Sequence, residues 1–344
     1  MSGADGAEQT LLLTGAQGFL GRHVAMSWLR RHPEGRVVGV GRSAFDVDHF
    51  TYAHHVIPAA RAALSPDLRG LAGHPGWSYL RLDLTDPDAV RSTVRDVRPG
   101  LVIHSAAALR DQPLPELVAA NVLATAALAR AVSDLVPEAR FVNVSSGSVY
   151  GLSSTSDASR ADPEPYAVTK RAAELAVAAE CTASGLAAAS GRVFNLIGPG
   201  LQDRHLPGRI ALELALMEGR DIGEVRVGSL EAERDLIDVR DAADALTAVA
   251  SAPATAFDRL PAEGPLRIID VGTGRLLRMR DLVRLQLEAA GLAGKVDVIE
   301  SEARPMGAAA LRADPAAIAE LGASPQIPLE RSVAEMADYA RNQC

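Results

Sequence analysis

The sequence is short of several things, and each shortage excludes a class of protein. Only two cysteines, Cys181 and Cys344, occur in 344 residues. They give no disulfide framework, so a reducing compartment, the cytoplasm, is expected. The first apolar run, residues 11–13, is short and is followed at once by Gly15 and Gly18. The polar start MSGADGAEQT carries no basic stretch, so neither a leader nor a membrane span is expected. Positive charge is also scarce, with a formal net charge of -8. Nucleic-acid binding needs basic stripes and is not expected, while a local basic pocket for a small anion is allowed. No internal repeat or low-complexity tract stands out. His49, His54 and His55 cluster without a ligand spacing, so no metal is expected. What is plentiful is apolar: 48% hydrophobic against 23% charged residues, enough for a sizeable core.

Strand-like runs alternate with amphipathic stretches through the first part of the chain. Strands are expected at 10–14, 36–40, 78–82, 101–104, 140–144 and 186–194, and helices at 19–31, 87–97, 115–135 and 165–184. Alternation of this kind implies βαβ units in an α/β, doubly wound parallel sheet of the Rossmann type. Residues 42–77, with scattered Pro, His and Gly, read as an irregular insertion. After Asn195 the alternation weakens, and helices are expected at 206–218, 239–250, 279–290 and 315–321. We therefore expect a dinucleotide-binding domain over 1–195, a return to it at about 234–252, and a smaller C-terminal substrate-binding lobe over 196–344. Cys181 falls on the 165–184 helix and reads as core, not as a nucleophile.

The run TGAQGFLG, Thr14 to Gly21, ends the first strand and opens the first helix. In that context Gly15 permits a tight turn, Gly18 lets backbone N–H groups approach a pyrophosphate, and Gly21 lets the helix pack closely. The helix N-terminus adds partial positive charge for the anion. At the end of the second strand, Val40-Gly41-Arg42-Ser43 has no carboxylate to take the ribose hydroxyls of NAD. Arg42 can grip a 2′-phosphate, which favours NADP(H) over NAD(H). Asp83 either meets the adenine amino group or caps the helix that starts near Asp86.

Tyr166 and Lys170 stand four apart on one predicted helix face. A phenol with an ordinary pKa of about 10 needs a neighbouring ammonium to trade protons near neutrality. The fifth strand runs into Ser145-Ser146-Gly147-Ser148-Val149-Tyr150-Gly151. A hydroxyl there can polarise a reacting oxygen, so Ser146, Tyr166 and Lys170 read as a unit for hydride exchange.

These pieces resemble the extended short-chain dehydrogenase/reductases of the nucleotide-sugar epimerase/dehydratase group. The matching runs are TGAQGFLG, DLTD at 83–86, HSAA at 104–107, Asn121, SSGSVYG, YAVTK, RVFNLIGPG at 192–200 and RDLIDVRDAADA at 234–245, in family order along nearly the whole chain. Within the group, FNLIGPG and VGSLEAERDLIDVRD are most similar to GDP-4-keto-6-deoxymannose reductases. The resemblance implies an enzyme whose catalytic residues are Ser146, Tyr166 and Lys170. It implies cofactor contacts from Gly15, Gln17, Gly18, Phe19, Leu20, Gly21, Arg42, Asp83, Leu84, Ala106, Ala107, Asn121, Tyr166, Lys170 and Phe194. It implies a nucleotide-diphosphate sugar held by Ser145, Ser148, Asn195, Arg209, Arg234 and Arg304, and a homodimer formed through the 115–135 and 165–184 helices. Ser146-Gly147-Ser148 replaces the Thr-Asp-Glu of the 4,6-dehydratases, and no cysteine lies near His104–Gln112 as in the 3,5-epimerase/reductases, so both chemistries are disfavoured. Val193 stands where a proline is common. The polar run Leu109-Arg110-Asp111-Gln112 lies where substrate meets cofactor and has no assigned role.

The function expected is NADPH-dependent reduction of the 4-keto group of a nucleotide-linked 4-keto-6-deoxyhexose. An epimerase for a hexose or heptose nucleotide, using the same groups by transient oxidation at C4, stays open. So does an NADP(H)-binding sensor without catalysis, against which the presence of all three catalytic side chains stands.

Overall fold

A computed structural model describes residues 9–57, 61–152, 164–219, 223–300 and 310–344. The chain lays down β1 (Thr10–Thr14), α1 (Phe19–Arg31) and β2 (Arg36–Gly41), then a hairpin of β3 (His49–Ala53) and β4 (Arg61–Ala63). It continues through β5 (Trp77–Arg81), α2 (Pro87–Val97) and β6 (Leu101–His104) to α3 (Leu114–Leu117). Val118–Leu123 then widens by one residue per turn and leads into α4 (Ala124–Leu135). β7 (Arg140–Ser146), α5 (Pro165–Ser184) and β8 (Ala188–Val193) follow. The remainder holds β9 (Asn195–Ile197), α6 (Leu206–Met217), β10 (Gly223–Val227), β11 (Glu233–Asp238), α7 (Val239–Ser251) and α8 (Ala254–Phe257). It closes with β12 (Ala262–Glu263), β13 (Leu266–Val271), β14 (Leu276–Arg278), α9 (Met279–Ala289), β15 (Val296–Glu300), α10 (Ala316–Glu320) and α11 (Leu329–Arg341).

Eight strands form the main sheet in the order β12-β13-β8-β7-β6-β1-β2-β5, parallel throughout except for the short β12 edge. The chain starts at β1, walks outward to β5, then returns to β6 on the other side of β1. That reversal opens a crevice at the carboxyl ends of β1 and β6, the place where such sheets bind ligands. The strands are continuous apolar runs because both faces are covered. On one face α1 and α7 pack Val24, Trp28, Ala242 and Leu246 onto Leu11, Leu13 and Ile103; on the other, α2, α4 and α5 cover Leu12, Val102 and Phe141.

Two regions differ from expectation. The return to the sheet does not stop at 252: β13 pairs with β8 from Arg267 to Val271. The 42–77 insertion is built, not irregular. Its hairpin puts Phe50 against Phe19, and Tyr52 donates to the Gly200 carbonyl. Asp203, its side chain fully buried, accepts from the His55 and Val56 amides and the His55 ring. Tyr339 on α11 donates to Ala63, and Gln343 accepts from the Ala63 amide. The insertion thus fastens the loop at 200–203 and the last helix to the hairpin. The span Leu114–Leu135 is long and apolar enough to cross a membrane by length and composition alone; half of it is buried inside the fold.

Asp203→Ala strips two amides of their buried acceptor and should cost about 1–3 kcal/mol. Burial works against its ionised form, but the bonds to His55 and Val56 win and hold its pKa below the usual range. A depressed carboxylate stabilises above its unfolded pKa and loses that contribution as pH falls through the folded one. Denaturant titrations should show the gap between wild type and Asp203→Ala at neutral pH and see it shrink in acid. A gap that stays constant into acid would contradict this account.

Candidate active site

The crevice is lined first by the turn after β1. Gly15 adopts φ 66°, and a Cβ there would stand 2.7 Å from the Ala106 nitrogen. A Cβ on Gly21 would collide with the Gly15 carbonyl. Both positions need glycine because the turn, the first helix and the end of β6 meet without room for a side chain. Gly18 caps α1, whose first turn holds no acidic residue, so its free N–H groups face the crevice uncompensated. This cradle fits a pyrophosphate.

The neighbouring residues divide into those facing the crevice and those shaping it. Gln17, expected at the cofactor, is buried, and its side chain is spent on the loop after β2. It donates to Ser43, Ala44 and Tyr79 and accepts from the Asp46 amide. The Phe19 ring packs on His23 and Phe50, and Leu20 packs on the core, so these two can offer only their amides. Leu84 likewise packs on the core below α2. Arg42 is exposed at the end of β2, as a phosphate contact must be. Asp83 accepts from the Thr85 amide and hydroxyl, which holds its pKa low; Asp86 does the helix capping. At the end of β6 the Ala106 amide donates to Thr14 Oγ1. Asn121 is buried in the widened turn, where it exchanges hydrogen bonds with both polar groups of Ala108 and donates to Thr169. It sets the Ala106–Ala108 wall and ties it to α5.

The three catalytic candidates converge. Lys170 Nζ, buried on α5, donates to the Val144 carbonyl of β7 at 2.6 Å. Two residues on, Ser146 Oγ accepts from the Ser148 amide and hydroxyl, leaving its own proton for another acceptor. One helical turn before Lys170, the Tyr166 hydroxyl interacts with Ser146. Burial raises the phenol's pKa, while the Arg110 guanidinium and Ser146 pull it down. Burial lowers the Lys170 ammonium to about 8, against the pull of the Glu174 carboxylate. Besides Lys170, the cation expected to tune Tyr166, Arg110 stands 5.3 Å over the ring centroid and pairs with Glu164. Phe194, buried, lies against Gly147.

Behind Lys170 lies a charge network not anticipated from the sequence; its one local signal is Glu174, a turn further along the same helix face. Arg192 of β8 meets Glu174 through two hydrogen bonds of 3.0 and 2.8 Å, its third nitrogen meets Glu263, and Arg171 bridges the same two carboxylates. Ser145, expected at the substrate, faces this network instead, because alternate strand residues point to opposite faces.

On the substrate side, Ser148 is half-buried beside Ser146, and Asn195 donates to the Asp235 carbonyl. Arg234 is held by the Glu233 carbonyl; burial and then the Arg110 charge lower its pKa. Arg110 and Arg204 also act on His205, which burial pushes down to about 4. Arg204 pairs with Asp111 across the cleft, so the unassigned 109–112 run joins a cationic cluster beside Tyr166. Arg209 does not: it is spent on Glu213 and the Arg226 carbonyl. Arg304 lies outside the described residues. Among those described, no three His, Cys, Asp or Glu side chains group to hold a metal.

The profile of the NAD dependent epimerase/dehydratase family matches residues 11–259. The chain is 28% identical over 251 residues to a GDP-6-deoxy-D-mannose reductase of Pseudomonas aeruginosa, covering 68% of this chain and 77% of the relative. It is 27% identical over 222 residues to a dTDP-6-deoxy-L-talose 4-dehydrogenase (NAD(P)(+)) of Kitasatospora kifunensis, covering 62% and 67%. The solved structure of RMD from Pseudomonas aeruginosa with NADPH superposes with a TM-score of 0.70 at 23% identity, over 98% of this chain and 100% of that one.

Removing one side of the buried pair should cost more than removing both. Arg192→Met leaves buried Glu174 with Arg171 as its remaining ion-pair partner and should cost up to about 3–5 kcal/mol, whereas adding Glu174→Met should restore part of the loss. Urea titration of the single and double variants checks the order; a double variant less stable than the single one would refute it.

Proposed function

Because the chain belongs to the NAD dependent epimerase/dehydratase family, we propose that it uses NADPH to reduce the 4-keto group of a nucleotide-linked 4-keto-6-deoxyhexose. The observation that carries this is the meeting of the Tyr166 hydroxyl with Ser146 one helical turn from the buried Lys170. When bound, the nicotinamide supplies the hydride. Tyr166, kept protonated by burial, gives the proton to the carbonyl oxygen. Ser146, its lone pairs occupied by Ser148, turns its own hydrogen toward that oxygen and polarises it. Lys170 keeps two N–H groups beyond its bond to Val144, enough to hold a ribose hydroxyl.

Gly147 and Ser148 supply neither the acid nor the base that loss of water from the sugar needs, which supports reduction. Arg42, without a carboxylate beside it at the strand end, supports NADP(H). Arg234 and Asn195, with Arg110 and Arg204 close by, support a diphosphate-linked sugar on the lobe side. The free thiols of Cys181 and Cys344 support a cytoplasmic setting. Leu123 and Leu175, exposed at 62% and 55% on neighbouring helices, support a homodimer through that face.

Purified protein with NADPH and a GDP-, dTDP- or UDP-linked 4-keto-6-deoxy sugar should consume the reduced cofactor. Tyr166→Phe should lose about 10²–10⁴-fold in turnover and keep cofactor binding. No consumption with any of these ketosugars would overturn the reading, and an isomerised product without net consumption would assign an epimerase. Lys170 is charged below its pKa of about 8, so turnover should fall as pH rises through that value; a flat profile there would refute its role as an ammonium. Leu123→Asp with Leu175→Asp should shift a dimer to a monomer in light scattering, and an unchanged mass would reject this face.

A further inference from the structure

Arg42 is not the only guanidinium at the edge of the adenosine side. β2 and β5 run parallel with Gly41 opposite Arg81, and Arg81 Nε donates to the Arg42 carbonyl at 3.0 Å. Strand alternation puts Arg81 on the same face of β5 as Trp77 and Tyr79. The Tyr79 hydroxyl donates to the Ser43 carbonyl at 2.9 Å, and its ring packs on Phe45. Arg81 therefore stands one step beyond Tyr79, over the loop that follows β2, at the carboxyl end of the sheet. Among the described residues only its Nε is spent. Among the described residues no carboxylate pairs with Arg81 or with Arg42. The acidic group near Arg42 is Asp83, already engaged by Thr85. Ser43 Oγ accepts from Gln17 Nε2 at 3.1 Å, which leaves its hydroxyl hydrogen free to donate.

We propose that Arg81 and Arg42 together grip the 2′-phosphate of adenosine, with the Ser43 hydroxyl as a third donor, and that Arg81 is a determinant of NADP(H) over NAD(H). This rests on the dinucleotide reading of the crevice. Two guanidinium groups at adjoining strand ends repel each other unless an anion lies between them, and a phosphate dianion relieves that repulsion. The planar fork suits the task, since it can present two N–H groups to one phosphate. The Nε bond to Arg42 fixes the fork in advance and leaves its outer nitrogens free, so less freedom is lost when the phosphate arrives. If Arg81 served only to close the strand end, the number of phosphates on the ligand would not matter to it.

Calorimetric titration of the full chain with adenosine 2′,5′-bisphosphate and with adenosine 5′-monophosphate separates these cases. Wild type should prefer the bisphosphate, and the preference should shrink as salt is raised. Arg81→Gln should weaken the bisphosphate about tenfold or more and leave the monophosphate unchanged. Arg81→Lys keeps the charge without the anchored fork and should fall between. Thermal melting of both variants checks that they are folded. An Arg81→Gln variant that binds both ligands as wild type does, or loses both equally, overturns the proposal. A wild type that binds the two ligands equally removes the 2′-phosphate site altogether. A wild type that binds neither removes the dinucleotide reading with it.

Discussion

The bond from Lys170 to the Val144 carbonyl is the constraint on which the rest of the site depends. It pins α5 to the end of β7 and so decides where Tyr166 stands relative to Ser146. Burying an ammonium is costly unless it is hydrogen-bonded and faces compensating charge. Here the carbonyl supplies the bond and Glu174 supplies the charge, while Arg192 and Arg171 keep Glu174 from becoming an unpaired anion. His104 of β6, which lies near Lys170 and is held between Thr14 and Thr125, is kept neutral by burial, which pushes its pKa to about 3. The chain has only two lysines, Lys170 and Lys295, and meets its remaining need for positive charge with arginine. An arginine at 170 would stay fully charged; a lysine can be brought by burial into the range where its charge responds to its surroundings.

The sheet makes this arrangement possible by reversing its strand order between β1 and β6. Gly15 brings the turn after β1 against Ala106, Asn121 holds Ala108, and Asn121 also reaches Thr169 beside Lys170. The turn after β1 and the Tyr166–Lys170 stretch of α5 are thus joined through one assembly, rather than lying apart on a shared scaffold. The chain is an NAD(P)-dependent enzyme of its family.

Much of this was legible in the residues. α1, α2 and α5 have the predicted bounds because caps, glycines and apolar spacing agree there; Asp86 before Pro87, and Gly185 after Ser184, are local signals. What escaped was non-local. The hairpin in the insertion is three to five residues per strand, too short to show a period, and it is held by Asp203, Gly200 and α11 from far along the chain. β13 is not among the expected strands, and its place in the main sheet depends on its distant partner β8. α11, which is not among the expected helices, carries a local signal all the same, since Val333, Met336, Ala337 and Ala340 recur at helical spacing. At the site, spacing and resemblance named Ser146, Tyr166 and Lys170. They did not reveal where the side chains of Gln17, Ser145 and Arg209 turn, because side-chain direction depends on what else is packed nearby: Gln17 turns to the β2 loop, Ser145 to the buried charges, Arg209 to its own helix.

The central claim is that Ser146, Tyr166 and Lys170 act together above the crevice that Gly15, Gly18 and Gly21 begin. A crystal structure of the full chain with NADPH bound tests it most directly. The account predicts the pyrophosphate on the α1 N-terminus, the nicotinamide ribose within hydrogen-bond reach of Lys170 Nζ, and the ring beside the Tyr166 hydroxyl and Phe194. A nicotinamide lying away from Tyr166, with Lys170 still bonded only to Val144, would contradict it.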